Sequence, residues 1–232
     1  RSLMSDVLAQ LAEIRANTGN RRTVGLKDRI VTRFASKDQS LIRAVSEASK
    51  THHEHLKEFG SEYMMMDETD LISHLQSDYV NFYNPATVNP YVAIAARGPW
   101  IVTSHGAVLH DNGGYGMLGG GHGPDDIIGV MSKNWVMANI MTASFSQKRL
   151  AEALRNEVGY SRGECPFSKF VCMNSGSESV TIGMRIADVN ANQMTGPGGR
   201  HEGKPIKKIA LKQAFHGRTQ RPALISDSCK TK

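Results

Sequence analysis

Between Lys169 and Leu211 the chain alternates in a way that restricts its fold. The apolar run Lys169-Phe170-Val171-Cys172-Met173 is followed by Asn174-Ser175-Gly176-Ser177-Glu178. A helical stretch then carries Val180, Ile182, Met184, Ile186, Ala187 and Val189, and a second apolar run spans 206–211. Strand, helix and strand make one βαβ unit, so an α/β fold with the two strands parallel is predicted. The helix has an apolar band wide enough to be mostly buried.

The turn between the first strand and the helix has chemistry of its own. Ser175 and Glu178 stand at the S-x-x-E spacing of a capping box, which sets the helix start. Small residues let the backbone approach a ligand, and the first helical turn presents N–H groups that have no partner within the helix. Ala214-Phe215-His216-Gly217-Arg218-Thr219 falls at the end of the second strand. Ligands of such sheets sit at the carboxyl ends of the strands. An amide-lined anion hole beside an aromatic face suits a phosphorylated planar ring, with Gly176 and Ser177 on the phosphate and Phe215 stacked on the ring. Spacing alone equally allows Ser175 to be only a helix cap and Phe215 only a core aromatic.

Ahead of this unit, Leu3, Val7, Leu11 and Ile14 recur at helical spacing, with Gly19 as a stop signal. A longer helix is predicted from Asp38 to Phe59, with Leu41, Val45, Ala48 and His52 along one side. Asp67 is placed to cap a third, short helix through Leu75. His52, His53 and His55 have no carboxylate or cysteine at ligand spacing, so a solvated face is expected there rather than a metal site. From 81 to 99 the prolines predict loop. Residues 101–103 and 107–109 flank Ser104-His105-Gly106 as a short β-hairpin. Six glycines then fall between 113 and 121, too many for a regular element, and neither a P-loop nor GxGxxG at a strand–helix junction is present. Pro124-Asp125-Asp126 predicts a helix start, and Ser146 is taken as the cap of another helix that ends at Gly159.

Composition excludes several classes. The net charge is +6, but the basic residues are scattered, with no stripe interleaved with aromatics, so nucleic acid is not an expected partner. No apolar run approaches the roughly 18 residues of a membrane span, and the N-terminus lacks signal-peptide features. Cys165, Cys172 and Cys229 form no CxxC pair and are expected to be reduced, buried thiols of a cytoplasmic protein.

Asn174-Ser175-Gly176-Ser177-Glu178-Ser179, the helix ending Arg185-Ile186-Ala187, and Phe215-His216-Gly217-Arg218-Thr219 together resemble the class III aminotransferases. Gly121-His122-Gly123-Pro124 resembles the Gly-His-x-Pro stretch with which that family begins its large domain. The resemblance covers roughly residues 97 to 228 and does not extend to the first 90. It implies pyridoxal 5'-phosphate (PLP) and an incomplete PLP-transferase fold of type I, mainly parallel sheet flanked by helices. The implied layout is a helical N-terminal arm (1–90), a small-domain hairpin and glycine-rich segment (91–123), and the first part of the PLP-binding large domain (124–232). Matched by position, Ser175, Gly176 and Ser177 would hold the phosphate, Phe215 would stack on the pyridine, His216 would sit beside it, and Tyr115 would contact substrate. The implied reaction moves an amino group between an amine or ω-amino acid and a 2-oxo acid in a homodimer. An aminomutase, racemase or decarboxylase of the same fold, or a non-catalytic module on a degenerate transferase fold, are the alternatives. The sequence departs from the family at Ser179-Val180, where Ala-Asn is usual, and at Asp188, which stands for an arginine. The Schiff-base lysine and the acid that pairs with the pyridine nitrogen are expected beyond Lys232, so no catalytic residue is assigned within this stretch. It is expected to be the front part of an enzyme and inactive alone.

Overall fold

The computed structural model describes residues 3–80, 86, 88–112, 119–136, 138–139 and 141–227. Two compact units divide the chain between Val136 and Met137.

The first unit is built around one long helix. Helices α1 (Leu3–Ala16), α2 (Asp28–Ala35), α3 (Gln39–Phe59), α4 (Ser61–Met64) and α5 (Glu68–Gln76) precede strands β1 (Ala93–Arg97), β2 (Trp100–Thr103) and β3 (Val108–His110); α6 (Asp125–Met131) follows. The expected apolar faces of α1 and α3 are buried: Val7, Leu11 and Ile14 pack with Leu41, Ala44, Val45 and Ala48, and the same cluster takes in Trp100, Val102 and Val108 of the sheet. Helices α1, α2 and α3 and the hairpin thus share one core. Asp38 caps α3 by accepting from the Ser40 N–H, and its other carboxylate oxygen accepts from Trp100 Nε1 at 2.7 Å. Asp67 stands before α5 as expected, but its carboxylate accepts from Asn20 instead of capping the helix.

The sheet is antiparallel, in the order β1-β2-β3. The predicted hairpin forms with Val102 opposite Val108. Its turn closes through the Ala107 N–H donating to Thr103 Oγ1. Gly106 has φ +70°, and a β-carbon there would run into Arg15. β1 forms where loop was predicted, through pairs such as Ala96 with Ile101.

The second unit holds α7 (Phe145–Gly159), α8 (Gly176–Thr195) and α9 (Gln220–Ile225). Ser144, not Ser146, caps α7, through a complete capping box with Gln147. Ser144 wins because only it has a glutamine at the third position of the helix. The two segments predicted as parallel strands, 169–173 and 206–211, form no strand and carry no strand pairing. A parallel pair needs neighbours on its edges and cover on both faces. Here Val171, Ile209 and Leu211 are exposed instead. The fold is mixed α/β: the sheet among the described residues is the antiparallel one of the first unit, and the parallel pair expected from 169–173 and 206–211 does not form. No residue of α8 is buried: Val180, Ile182 and Met184 are only partly covered and Ile186 and Val189 are exposed, so the band expected to be mostly buried is not. Among the described residues the buried apolar core runs from Val7 to Val108, in the first unit, and of apolar side chains the second unit buries only the Pro222 ring of α9. Cys172 is exposed and Cys165 partly so, against the expectation of buried thiols; Cys229 lies outside the described residues.

Candidate functional site: the N-terminus of helix α8

The turn before α8 forms as the spacing requires. Ser175 is extended (φ −146°, ψ 158°), and its Oγ accepts from the Glu178 N–H. The Glu178 carboxylate folds back to accept from the Asn174 and Ser175 N–H groups at 2.9 and 3.1 Å. That pairing leaves the N–H groups of Gly176 and Ser177, which find no acceptor among the described residues. They open the helix, where the macrodipole favours an anion.

The second predicted turn meets the first. Gly217 has φ +113°, and a β-carbon on it would fall 3.1 Å from the Ser177 α-carbon and collide with the Ser177 hydroxyl. Only glycine accepts both this backbone angle and this approach. Phe215 and His216 immediately precede the contact. Phe215 is 59% exposed, with the Arg218 guanidinium carbon 5.8 Å from its ring centre. The His216 N–H donates to Ser226 Oγ at 2.9 Å, and that hydroxyl lies within bonding distance of the Gly217 and Pro222 carbonyls. Asp227 closes the other side: its N–H donates to the Ala214 carbonyl and its carboxylate accepts from the Gln213 N–H.

Of the six residues singled out from the sequence, the structure draws the segments of five together in the second unit. Tyr115, the expected substrate contact, lies outside the described residues. Sequence reasoning missed Ser226, Gly217 as a contact, and Asp188. Asp188 accepts from Lys208 Nζ at 2.9 Å and from Arg221 Nη1 at 2.7 Å. Hydrogen bonds from Lys208 and then Arg221 hold its carboxyl below the usual carboxylate range. A Ser-Asp pair just after a short helix was the one available signal for the Ser226 and Asp227 closure.

The histidine group is not a solvated face throughout. His52 is 2% exposed, whereas His53 bridges the Ser49 carbonyl and Glu13. Among the described residues no cluster of His, Cys, Asp and Glu could hold a metal ion, and no helix is long and apolar enough to cross a membrane.

Two amides without an acceptor lie at one helix start, an arrangement that can take an anion, and an exposed aromatic residue lies two positions before the glycine that packs on Ser177. Comparison with family models, curated proteins and solved structures finds no match for this chain.

Proposed function

We propose that the chain is part of a PLP-dependent aminotransferase, and that the start of α8 is its phosphate cradle. The observation that carries this reading is the seating of Gly217 on Ser177 beside the two unpaired amides. It joins the two motif turns that resemble those of the class III family. The incomplete type I transferase fold is part of the same proposal.

In this reading the Gly176 and Ser177 N–H groups donate to phosphate oxygens. The Ser175 hydroxyl remains committed to the helix cap, so backbone amides rather than that side chain hold the anion. Phe215 supplies a ring face, and His216 is held beside it through its backbone bond to Ser226. When bound, PLP supplies the electron sink for chemistry at the amino-bearing carbon. Lys208 is paired with Asp188 and is not assigned as the covalent lysine. Amines or ω-amino acids as donors, 2-oxo acids as acceptors, a homodimeric state and a cytoplasmic location belong to the same proposal.

The test uses pyridoxamine 5'-phosphate, whose amine cannot condense with surface lysines. Calorimetric titration should show binding that unphosphorylated pyridoxamine lacks. Ser177→Asp should abolish it by like-charge repulsion. Unchanged affinity in that variant would put the phosphate elsewhere and overturn the reading.

A further inference from the structure

Asp188 stands where the resembled family has arginine, and its surroundings give that carboxylate a task. Its two partners bracket the Phe215–Thr219 turn in sequence: Lys208 precedes it, and Arg221, on α9, follows it. Ser226, just past α9, is the group that receives the His216 N–H and bonds the Gly217 carbonyl. One carboxylate on α8 therefore ties down both ends of the segment that rests on the first turn of α8. The unit offers little else to hold this segment, since among the described residues the Pro222 ring is its one buried apolar side chain. With so little apolar cover, the polar ties must do much to offset the conformational entropy of the turn.

We propose that Asp188 is a positioning residue for the cofactor site: by clamping Lys208 and Arg221 it holds the Phe215-His216-Gly217 turn against Ser177 and so pre-organises the ring-stacking half of the site. The proposal rests on the reading of α8 as a PLP phosphate cradle. Asp188 touches no ligand in this arrangement. Its effect passes through Arg221 and α9 to Ser226, and from there to the turn. Each ion pair alone would contribute little, because Lys208 and Arg221 are 54% and 36% exposed. Sharing one acceptor makes the two pairs act on the same loop. Pre-organisation of this kind lowers the ordering cost that a ligand otherwise meets.

Two measurements separate this proposal from the reading beneath it. Hydrogen exchange of the ligand-free full chain needs no cofactor. Asp188→Asn should speed exchange of the His216 amide while leaving α7 unchanged. Equal exchange in variant and parent would overturn the clamp. Titration then compares pyridoxamine 5'-phosphate with inorganic phosphate. Asp188→Asn should weaken the first by about tenfold and leave the second unaltered, because the amide cradle is intact. Asp188→Glu should restore part of the loss. Equal weakening of both anions, or none for either, would overturn the positioning role. Absence of pyridoxamine 5'-phosphate binding in the parent chain would overturn both the cradle and Asp188's part in it, even if the exchange result held. Arg221→Gln reaches the same clamp from the other side and should reproduce both effects; a normal response there would also overturn the proposal.

Discussion

Gly217 rests on Ser177 with no room for a β-carbon between them, and both residues sit in turns whose sequences carry the resemblance to one family. Two turns far apart in the chain are thus fitted by steric necessity and not only by loose proximity. Replacing Gly217 by alanine adds an atom where the Ser177 hydroxyl lies and imposes a side chain on a backbone at φ +113°. A cost of about 1–3 kcal/mol is expected for such a conformation. Gly217→Ala should therefore lower the melting temperature and weaken pyridoxamine 5'-phosphate. Ser177→Ala in the same chain should not rescue it, since the backbone strain remains. Full recovery in the double variant would show that crowding by the hydroxyl was the whole effect.

Asp38 does two jobs in the first unit, and removing it should cost more than a helix cap alone. Loss of the cap is worth about 1 kcal/mol. The buried Trp100 N–H, left without its acceptor, adds about 1–3 kcal/mol. Asp38→Ala should destabilise by about 2–4 kcal/mol in urea unfolding, and Asp38→Asn by clearly less. Burial alone would raise the Asp38 carboxyl, but hydrogen bonds from Trp100 and Ser40 outweigh it and hold it below the ordinary range. Its contribution is thus complete above the unfolded value of about 3.9 and is lost as pH falls through the lower folded value. Asp38→Asn should flatten that acid limb.

Local patterns made much of this visible before the structure, and tertiary ones did not. The apolar spacing of Val7, Leu11 and Ile14, and of Leu41, Val45 and Ala48, fixed two helices because periodicity reports burial on one face. Ser175 and Glu178 located the start of α8 because a capping box is local chemistry. α2 escaped because it is only 8 residues long and alternates Val31 and Ala35 with Arg29, Thr32 and Arg33. β1 escaped because Ala93, Ala95 and Ala96 have little strand preference and lie between prolines. The runs 169–173 and 206–211 look like strands, yet pairing depends on a neighbour that no single run encodes. At the candidate site the capped start of α8 was legible from its spacing. The Ser177–Gly217 contact and the Asp188 clamp were not, because both join residues distant in sequence.

His52 should make the first unit sensitive to mild acid. It is buried, and no partner reaches its Nε2 among the described residues. Burial first, and the neighbouring His53 second, push its pKa down; hydrogen bonding to the Asn17 backbone and the charge of Glu13 oppose this, and His55 adds to it. A histidine with a lowered folded value contributes stability above the unfolded value of about 6.5, which declines as pH falls towards the folded one. Thermal melts should lose stability across that window. His52→Leu removes the titrating group and suits the apolar face of α3, so its melts should stay level there. A slope identical to the parent's would assign the acid response to other groups.

The two units should differ in stability, and the cofactor should narrow the difference. Amides of α3 and β2 lie over a core with Leu41, Val45, Trp100 and Val102 nearly fully buried, whereas α7 and α8 bury no aliphatic or aromatic side chain. Local opening is easiest where apolar contacts are few. Hydrogen exchange should therefore be slow in α3 and β2 and fast in α7 and α8 of the ligand-free chain. A ligand that binds only the ordered cradle stabilises it by RT ln(1 + [L]/Kd), about 2.7 kcal/mol at a hundredfold excess over Kd. Saturating pyridoxamine 5'-phosphate should slow exchange in α8 and in residues 213–227 by about a hundredfold at that excess, and leave α3 unchanged. Protection that rose equally in both units would mean that the ligand binds without selecting the α8 cradle.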